Sequence, residues 1–282
     1  RFQPERLHFD ALVQAGVRTQ EMAMFLATAV GARMNLLISG GSGSGKTMLL
    51  NSLCRLIPDS ERIVTIEETA ELQLQHPDAV ALAVRPANVE GQGEITQREL
   101  LKQSFRLRPD RIIVGEVRGD EVFELLQAMN TGHKGLMSTI HADDTREALE
   151  RLEMMAALSG VELPAGVIRR YIASTLPLLM HVSRLSDGQR KVTRISELAR
   201  CGDGEYRVED IFVYRHGALG GSNGVAGGFF ATGYEPICLR RFAALEMEMP
   251  AEIFVPRELP VGSGLGPDLQ PESRLDAVDA SV

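Results

Sequence analysis

Between Asn35 and Thr47 the chain reads Asn35-Leu36-Leu37-Ile38-Ser39-Gly40-Gly41-Ser42-Gly43-Ser44-Gly45-Lys46-Thr47. No other stretch limits the fold as tightly. Leu36 to Ile38 is a short apolar run of the kind that forms a buried parallel strand. It opens into Gly40-x-x-x-x-Gly45-Lys46-Thr47, the full spacing of a phosphate-binding loop. Met48, Leu49, Leu50 and Leu53 then start an apolar helix with no breaker before Pro58. The glycines let the backbone curl with its N–H groups inward, as an anion nest. The helix N-terminus adds its dipole at the same point. Lys46 has the reach for β- and γ-phosphates, and Thr47 offers a hydroxyl to Mg²⁺. Gly40, Gly41, Ser42, Gly43, Ser44, Gly45, Lys46 and Thr47 are therefore the candidate nucleotide-binding residues. A flexible Gly/Ser linker needs neither the Lys-Thr pair at this spacing nor a strand before it and a helix after.

Strand and helix patterns alternate on both sides of this loop. Upstream, Thr19 has the character of an N-cap, with Glu21 in the first turn and Met22, Phe25, Leu26 and Ala29 at helical spacing. Downstream, Arg62 to Ile66 reads as a strand ending in Glu67-Glu68. Residues Leu72 to Gly93 read as short strands and an exposed loop, and Thr96 caps a helix to about Leu107. Arg111 to Val114 is a strand ending in Gly115-Glu116. A helix follows from Gly119 to Gly132, then a strand from Leu136 to Ile140 that runs into His141. Asp144 to Glu147 has capping-box spacing and opens a helix to about Leu158. This alternation predicts a parallel sheet covered by helices on both faces. From Leu176 the pattern changes to strands at Leu178–Leu185, Lys191–Leu198 and Tyr206–Tyr214, joined by polar turns. That predicts a small antiparallel extension. Gly217 to Gly228 reads as a mobile loop, and Pro236 to Leu245 as a short helix. Beyond Pro256 the chain is rich in Gly, Pro and acid, which predicts a disordered tail. The expected division is a linker or remnant of an upstream domain at 1–18, a catalytic domain at 19–255 and the tail at 256–282. The chain begins at Arg1 rather than Met, so a fragment is expected.

The chemistry gathers at the carboxyl ends of the strands, where parallel sheets bind ligands. Ile112-Ile113-Val114-Gly115-Glu116 has the form of a Walker B strand, which delivers Glu116 beside the loop to hold Mg²⁺ or its waters, or to polarise water. Gly115 is expected to leave room for the ligand. Glu67 and Glu68 are neighbours on an extended chain and point to opposite faces, so one of them is expected to face the nucleotide. His141 stands at another strand end, as a γ-phosphate or water contact or, equally, as a structural histidine. Five arginines, Arg98, Arg106, Arg108, Arg111 and Arg118, flank the Walker B strand, and position alone selects none of them. Cys54, Cys201 and Cys238 are scattered and odd in number, which argues against a disulfide framework and for a reducing cytoplasm. The net charge of -8 argues against bulk nucleic-acid binding. The upstream residues lack the apolar core of a signal peptide.

Taken in order, four blocks resemble the type II/type IV secretion-system ATPases, most closely the branch that powers Flp/Tad-type pilus assembly. They are the loop at Gly40–Thr47, Glu67-Glu68-Thr69-Ala70-Glu71-Leu72, Arg108 to Gly119, and Gly132-His133-Lys134-Gly135 through Ser138-Thr139-Ile140-His141-Ala142. The resemblance implies an α/β P-loop NTPase with a RecA-like, mostly parallel sheet. It implies ATP and Mg²⁺ as cofactors and Glu116 as the catalytic glutamate. It also implies Asp-box acids Glu67 and Glu68 at the metal and water, a His-box role for His141, and phosphate contact by Arg106. As implied partners it names a homo-hexamer of the full-length protein and an inner-membrane platform protein, with no direct nucleic acid. The implied place is the cytoplasm, peripheral to the inner membrane. A truncated chain is expected to be monomeric or weakly oligomeric with low basal activity. Three departures stand out: Glu68 where the family has aspartate, Lys102 where it has a second arginine, and no tetracysteine zinc module. Competing readings are a conjugation or effector-transport ATPase of the same superfamily, a hexameric nucleic-acid motor, and a scaffold that binds nucleotide without hydrolysing it.

Overall fold

The computed structural model describes residues 9–200, 205–216 and 227–261. In chain order they form α1 (Phe9–Gln14), α2 (Gln20–Gly31), β1 (Leu36–Gly40), α3 (Lys46–Cys54), β2 (Ile63–Glu67), β3 (Ala79–Ala83), α4 (Gln97–Ser104) and β4 (Arg111–Val117). Then come α5 (Glu121–Asn130), β5 (Met137–His141), α6 (Thr145–Leu158), α7 (Ala165–Thr175) and β6 (Leu178–Arg184). The described residues end with β7 (Arg190–Arg200), β8 (Tyr206–His216), β9 (Gly227–Ala231), α8 (Leu239–Ala244) and β10 (Arg257–Leu259). All ten strands lie in one sheet, ordered β10-β9-β8-β7-β6-β1-β5-β4-β2-β3. Strands β6, β1, β5, β4, β2 and β3 pair in parallel, and β7 to β10 add antiparallel.

The apolar strand runs explain this architecture. Every residue of β1 and β2 is buried, so both faces of each strand need a helical cover. Within β1, Leu36 and Ile38 enter one core layer with Met22 and Phe25 of α2 and Leu49 and Leu50 of α3. Leu37 enters the opposite layer, with Leu101 of α4, Leu125 of α5, Leu149 of α6 and Ile172 of α7. The expected caps form. Thr19 accepts from Met22 N–H, Thr96 and Glu99 make a capping box, and Asp144 accepts from Glu147 N–H at 2.8 Å. Phe25 joins the antiparallel extension to the helical layer, its ring 5.9 Å from Phe212 and 6.0 Å from both Phe242 and Phe254.

Arg111 and Glu197 are among the charged groups buried with dedicated partners. Arg111 is 1% exposed. Its Nε donates to Glu61 Oε2 at 2.5 Å, and Nη2 donates to Val30 O at 2.8 Å. The buried Glu197 carboxylate on β7 accepts from Tyr234 Oη, Ile237 N–H and Cys238 N–H at 2.8, 2.6 and 2.7 Å, which ties the segment before α8 to the sheet. Cys54 and Cys238 are free and buried, and burial pushes the Cys54 thiol up to about 12, so it stays protonated and inert. Among the described residues no helix is long and apolar enough to cross a membrane.

Both expected domain boundaries move outward. Residues 9–18 are no linker. Leu12 and Val17 join the core, Val192 N–H donates to Val17 O at 2.8 Å, and Lys191 Nζ donates to Gly16 O at 2.6 Å. At the other end, Arg257, Glu258 and Leu259 pair with Ala231, Phe230 and Phe229, and Leu259 is buried. The expected tail therefore starts too early; a three-residue strand is too short to show a period. The rest of that tail, 262–282, lies outside the described residues, as do 217–226 of the expected mobile loop. Gly227 and Gly228 belong to β9 instead, paired with His216 and Arg215. Helix α7 was not anticipated. Pro164 precedes its first residue, where a missing N–H costs nothing, and Ile168 and Ile172 bury one face.

A chain ending at Pro256 is expected to melt several degrees below one ending at Val261. The cut removes the Leu259 burial, about 2 kcal/mol, and in a domain of this size each kcal/mol moves the melting temperature by about 2–4 °C. Equal melting temperatures for the two chains would show that β10 contributes nothing.

Candidate active site at the carboxyl end of the sheet

The glycine-rich loop leaves the end of β1 and feeds the first turn of α3. Gly40 is held tightly: a Cβ there would stand 2.4 Å from Val182 O and 2.5 Å from Ser44 Oγ. Gly45 caps α3 with φ of +105°, a conformation that side chains resist. Ser42 and Gly43 lie on the exposed rim, while Ser44 is buried. Ser44 Oγ has no hydrogen-bond partner among the described residues. A close-walled loop at a helix N-terminus with an unpaired buried hydroxyl fits a polyphosphate. Lys46 Nζ donates to Gly40 O at 2.9 Å and Gly41 O at 3.2 Å. Burial holds its ammonium below the ordinary lysine value, and Glu116 partly offsets that shift.

The acids converge on the same place. Lys46, Thr47, Glu67, Glu68, Thr69, Glu71, Gly115, Glu116, Arg118 and Thr139 line one cleft of about 150 Å³. Glu116, at the end of β4, has Oε1 3.8 Å from Lys46 Nζ and Oε2 3.7 Å from Arg118 Nη2. Glu67 and Glu68 diverge as an extended chain requires. Glu67 is 4% exposed, and its Oε1 accepts from Glu71 and Leu72 N–H at 3.0 and 2.9 Å. Glu68 is exposed and ion-paired to Arg118. Thr47 Oγ1 donates to Glu71 Oε2 at 3.3 Å. Gly115 does make room, but for a neighbour: a Cβ there would lie 3.1 Å from Glu67 Cγ. Thr139 Oγ1 donates to Gly115 O at 2.8 Å and ties β5 to β4 below the carboxylates.

Two expected residues stand elsewhere. His141 is exposed and in register with Gly40, beside the loop but not among the cleft-lining residues. Arg106 is not brought to the cleft at all. It lies in a single 3-10 turn, Phe105–Leu107, beyond the far end of α4. Gln97 at the near end reaches Glu116 O at 2.7 Å. Arg106 therefore sits toward the amino end of β4 and is not among the cleft-lining residues. Lys102 pairs with Glu124 at 3.3 Å, and so does Arg98 at 2.8 Å. The arginine that the fold does bring into the cleft is Arg118. Sequence reasoning left it undistinguished, and Glu71 was given no role. Arg118 comes just after the last residue of β4, Val117, so strand alternation alone would not have singled it out. Among the other described histidines, buried His181 meets Ser39 Oγ at 2.8 Å, and burial lowers its pKa. His133 packs on Phe105.

The set is four carboxylates, three threonine hydroxyls, a lysine and an arginine around an anion nest. The acids and Thr47 supply hard oxygen donors of the kind Mg²⁺ takes. Among the described residues no group of three or more His, Cys, Asp or Glu is placed to hold a metal ion by itself.

Residues 1–208 match the family described as "Type II/IV secretion system protein". A putative conjugal transfer protein of Mycobacterium tuberculosis is 42% identical over 75% of this chain and 58% of its own length. The probable conjugal transfer protein TrbB of Sinorhizobium fredii is 37% identical over 71% of this chain and 59% of its own. Among solved structures, the VirB11 ATPase of the Brucella suis type IV secretion system superposes with a TM-score of 0.57 at 30% identity, over 68% of this chain and 57% of that one. The chain thus spans somewhat under three-fifths of the length of these relatives. With the P-loop, the Walker B glutamate and the parallel sheet all in place, this chain belongs to the type II/IV secretion system protein family.

Proposed function

We propose that this chain binds Mg²⁺-ATP and hydrolyses it as the motor part of a secretion, conjugation or pilus machine. The observation that carries the reading is the meeting of Lys46, Thr47 and Glu116 in one cleft at the end of the sheet. The loop amides and Lys46 hold the β- and γ-phosphates. Thr47, Glu116 and Glu71 would hold Mg²⁺, which would supply charge neutralisation on the phosphate oxygens. Glu116 takes the proton of the attacking water. Glu67 acts through the backbone: its carboxylate pins the turn that presents Glu71 to Thr47. Glu68 holds Arg118 at the mouth of the cleft. His141 meets the γ-phosphate or its water from the loop side, and Arg106 serves only a neighbouring subunit's site.

The finer assignment has two readings. The four sequence blocks resemble Flp/Tad-type pilus ATPases most closely, while the relatives' names favour conjugal transfer or type IV secretion. Both require a homo-hexamer of the full-length protein at the cytoplasmic side of the inner membrane, docked on a platform protein. A nucleic-acid motor is disfavoured by the net charge of -8. Phosphate release from ATP tests the core reading: we expect turnover with Mg²⁺ and at least tenfold less with EDTA. Turnover indifferent to EDTA sinks the metal assignment, and strong stimulation by single-stranded DNA favours the nucleic-acid motor. Light scattering of the full-length protein with ATP tests the ring.

A further inference from the structure

The antiparallel extension touches the phosphate-binding loop. Strands β6 and β7 form a tight hairpin through residues 185–189, closed by Leu185 N–H to Gln189 O at 2.8 Å and Gly188 N–H to Leu185 O at 2.9 Å. Arg184 pairs with Arg190 at its neck, so the first residue of β7 is fixed in place. From there Arg190 Nε donates to Gly43 O at 3.1 Å. Its stem crosses the loop, with Cδ 2.9 Å from where a Cβ on Gly45 would stand. On the other strand of the hairpin, Val182 O crowds Gly40. The hairpin therefore grips the loop at both its start and its crown.

We propose that Arg190 is a positioning residue for nucleotide binding, holding the loop in its anion-binding shape from the antiparallel extension. In a trans peptide the C=O and N–H point opposite ways. Drawing Gly43 C=O toward β7 turns the Ser44 N–H back across the loop, where it reaches Gly41 O at 3.4 Å. A loop with glycine at positions 40, 41, 43 and 45 has many other conformations open to it. Without the brace it orders only when the phosphates arrive, and that ordering is subtracted from affinity. The bond comes from a charged donor, the stronger class. The inference rests on the nucleotide reading above.

The test is ADP titration and steady-state ATP turnover of the full chain, with Arg190→Met, Arg190→Lys and Lys46→Ala. Methionine keeps a stem over Gly45 and removes the donors; lysine restores one. Arg190→Met is expected to raise Kd for ADP and KM for ATP about tenfold, the equivalent of one charge-assisted hydrogen bond. Its kcat is expected to fall less than threefold. Arg190→Lys is expected to recover most of the affinity, and the melting temperature without nucleotide is expected to stay within about 2 °C of the parent's. A Kd for Arg190→Met within twofold of the parent overturns the proposal. So does lost affinity accompanied by a lower melting temperature without nucleotide, because Arg190 would then be a fold residue. ADP binding lost in Lys46→Ala but kept in Arg190→Met removes this inference alone. A parent chain that binds ADP no better than Lys46→Ala removes the nucleotide reading, and the positioning role with it.

Discussion

Glu116→Gln is expected to bind ATP and to turn it over about 10²–10⁴-fold more slowly than the parent. The amide keeps the size of the side chain and its contact distances to Lys46 and Arg118, but it cannot accept a proton from water. Loss confined to kcat is the signature of a group that acts in the chemical step. Lys46→Ala is the contrasting variant. It removes the ammonium that lies over Gly40 O and Gly41 O, so nucleotide binding and turnover should fall together. Fluorescent-nucleotide titration beside phosphate release separates the two. Turnover of Glu116→Gln near the parent's would take Glu116 out of the chemistry and return attention to the other carboxylates of the cleft.

Glu61→Ala is expected to cost about 3–5 kcal/mol of stability, although it lies outside the cleft. Arg111 is closed off from water, and Glu61 is its counterion at 2.5 Å. Removing one partner strands a buried guanidinium, which is far more costly than removing both. The double variant Glu61→Leu with Arg111→Met should therefore be more stable than Glu61→Ala alone. Urea midpoints at constant slope measure both. A loss under about 1 kcal/mol for the single variant would mean that water or Val30 O suffices for Arg111.

The parts of this molecule that were legible in the chain are those whose physics is local. The loop spacing, the strand before it, the Thr19, Thr96 and Asp144 caps and the opposed faces of Glu67 and Glu68 all follow from neighbours within a few residues. Glu116 followed from a strand that ends in an acid. What sequence could not place depends on long-range meetings. Arg111 finds Glu61 across fifty positions, and Arg118 meets Glu68 across the same span. Arg190 crosses 147 positions to Gly43. Arg106, taken from the resemblance, lies beyond the far end of α4, because an offset from Glu116 along the chain does not say which end of the strand a residue occupies. β10 escaped because three residues carry no period, and α7 because Pro164 and Gly166 resemble breakers.

The sheet order has a mechanical consequence. Strand β6 is the seam, parallel to β1 on one side and antiparallel to β7 on the other, and its neighbour β1 is the strand from which the phosphate loop hangs. Ten hydrogen-bonded strands with packed layers on their faces make a stiff plate with little give against shear. A displacement of a few tenths of an ångström at the loop then has no soft joint inside the plate in which to dissipate. It emerges at the rim, at β3 on one side and β10 on the other, as a tilt of the whole body. For the motor proposed above, a plate of this kind would pass work on by rocking as one body, which places the compliance outside the sheet.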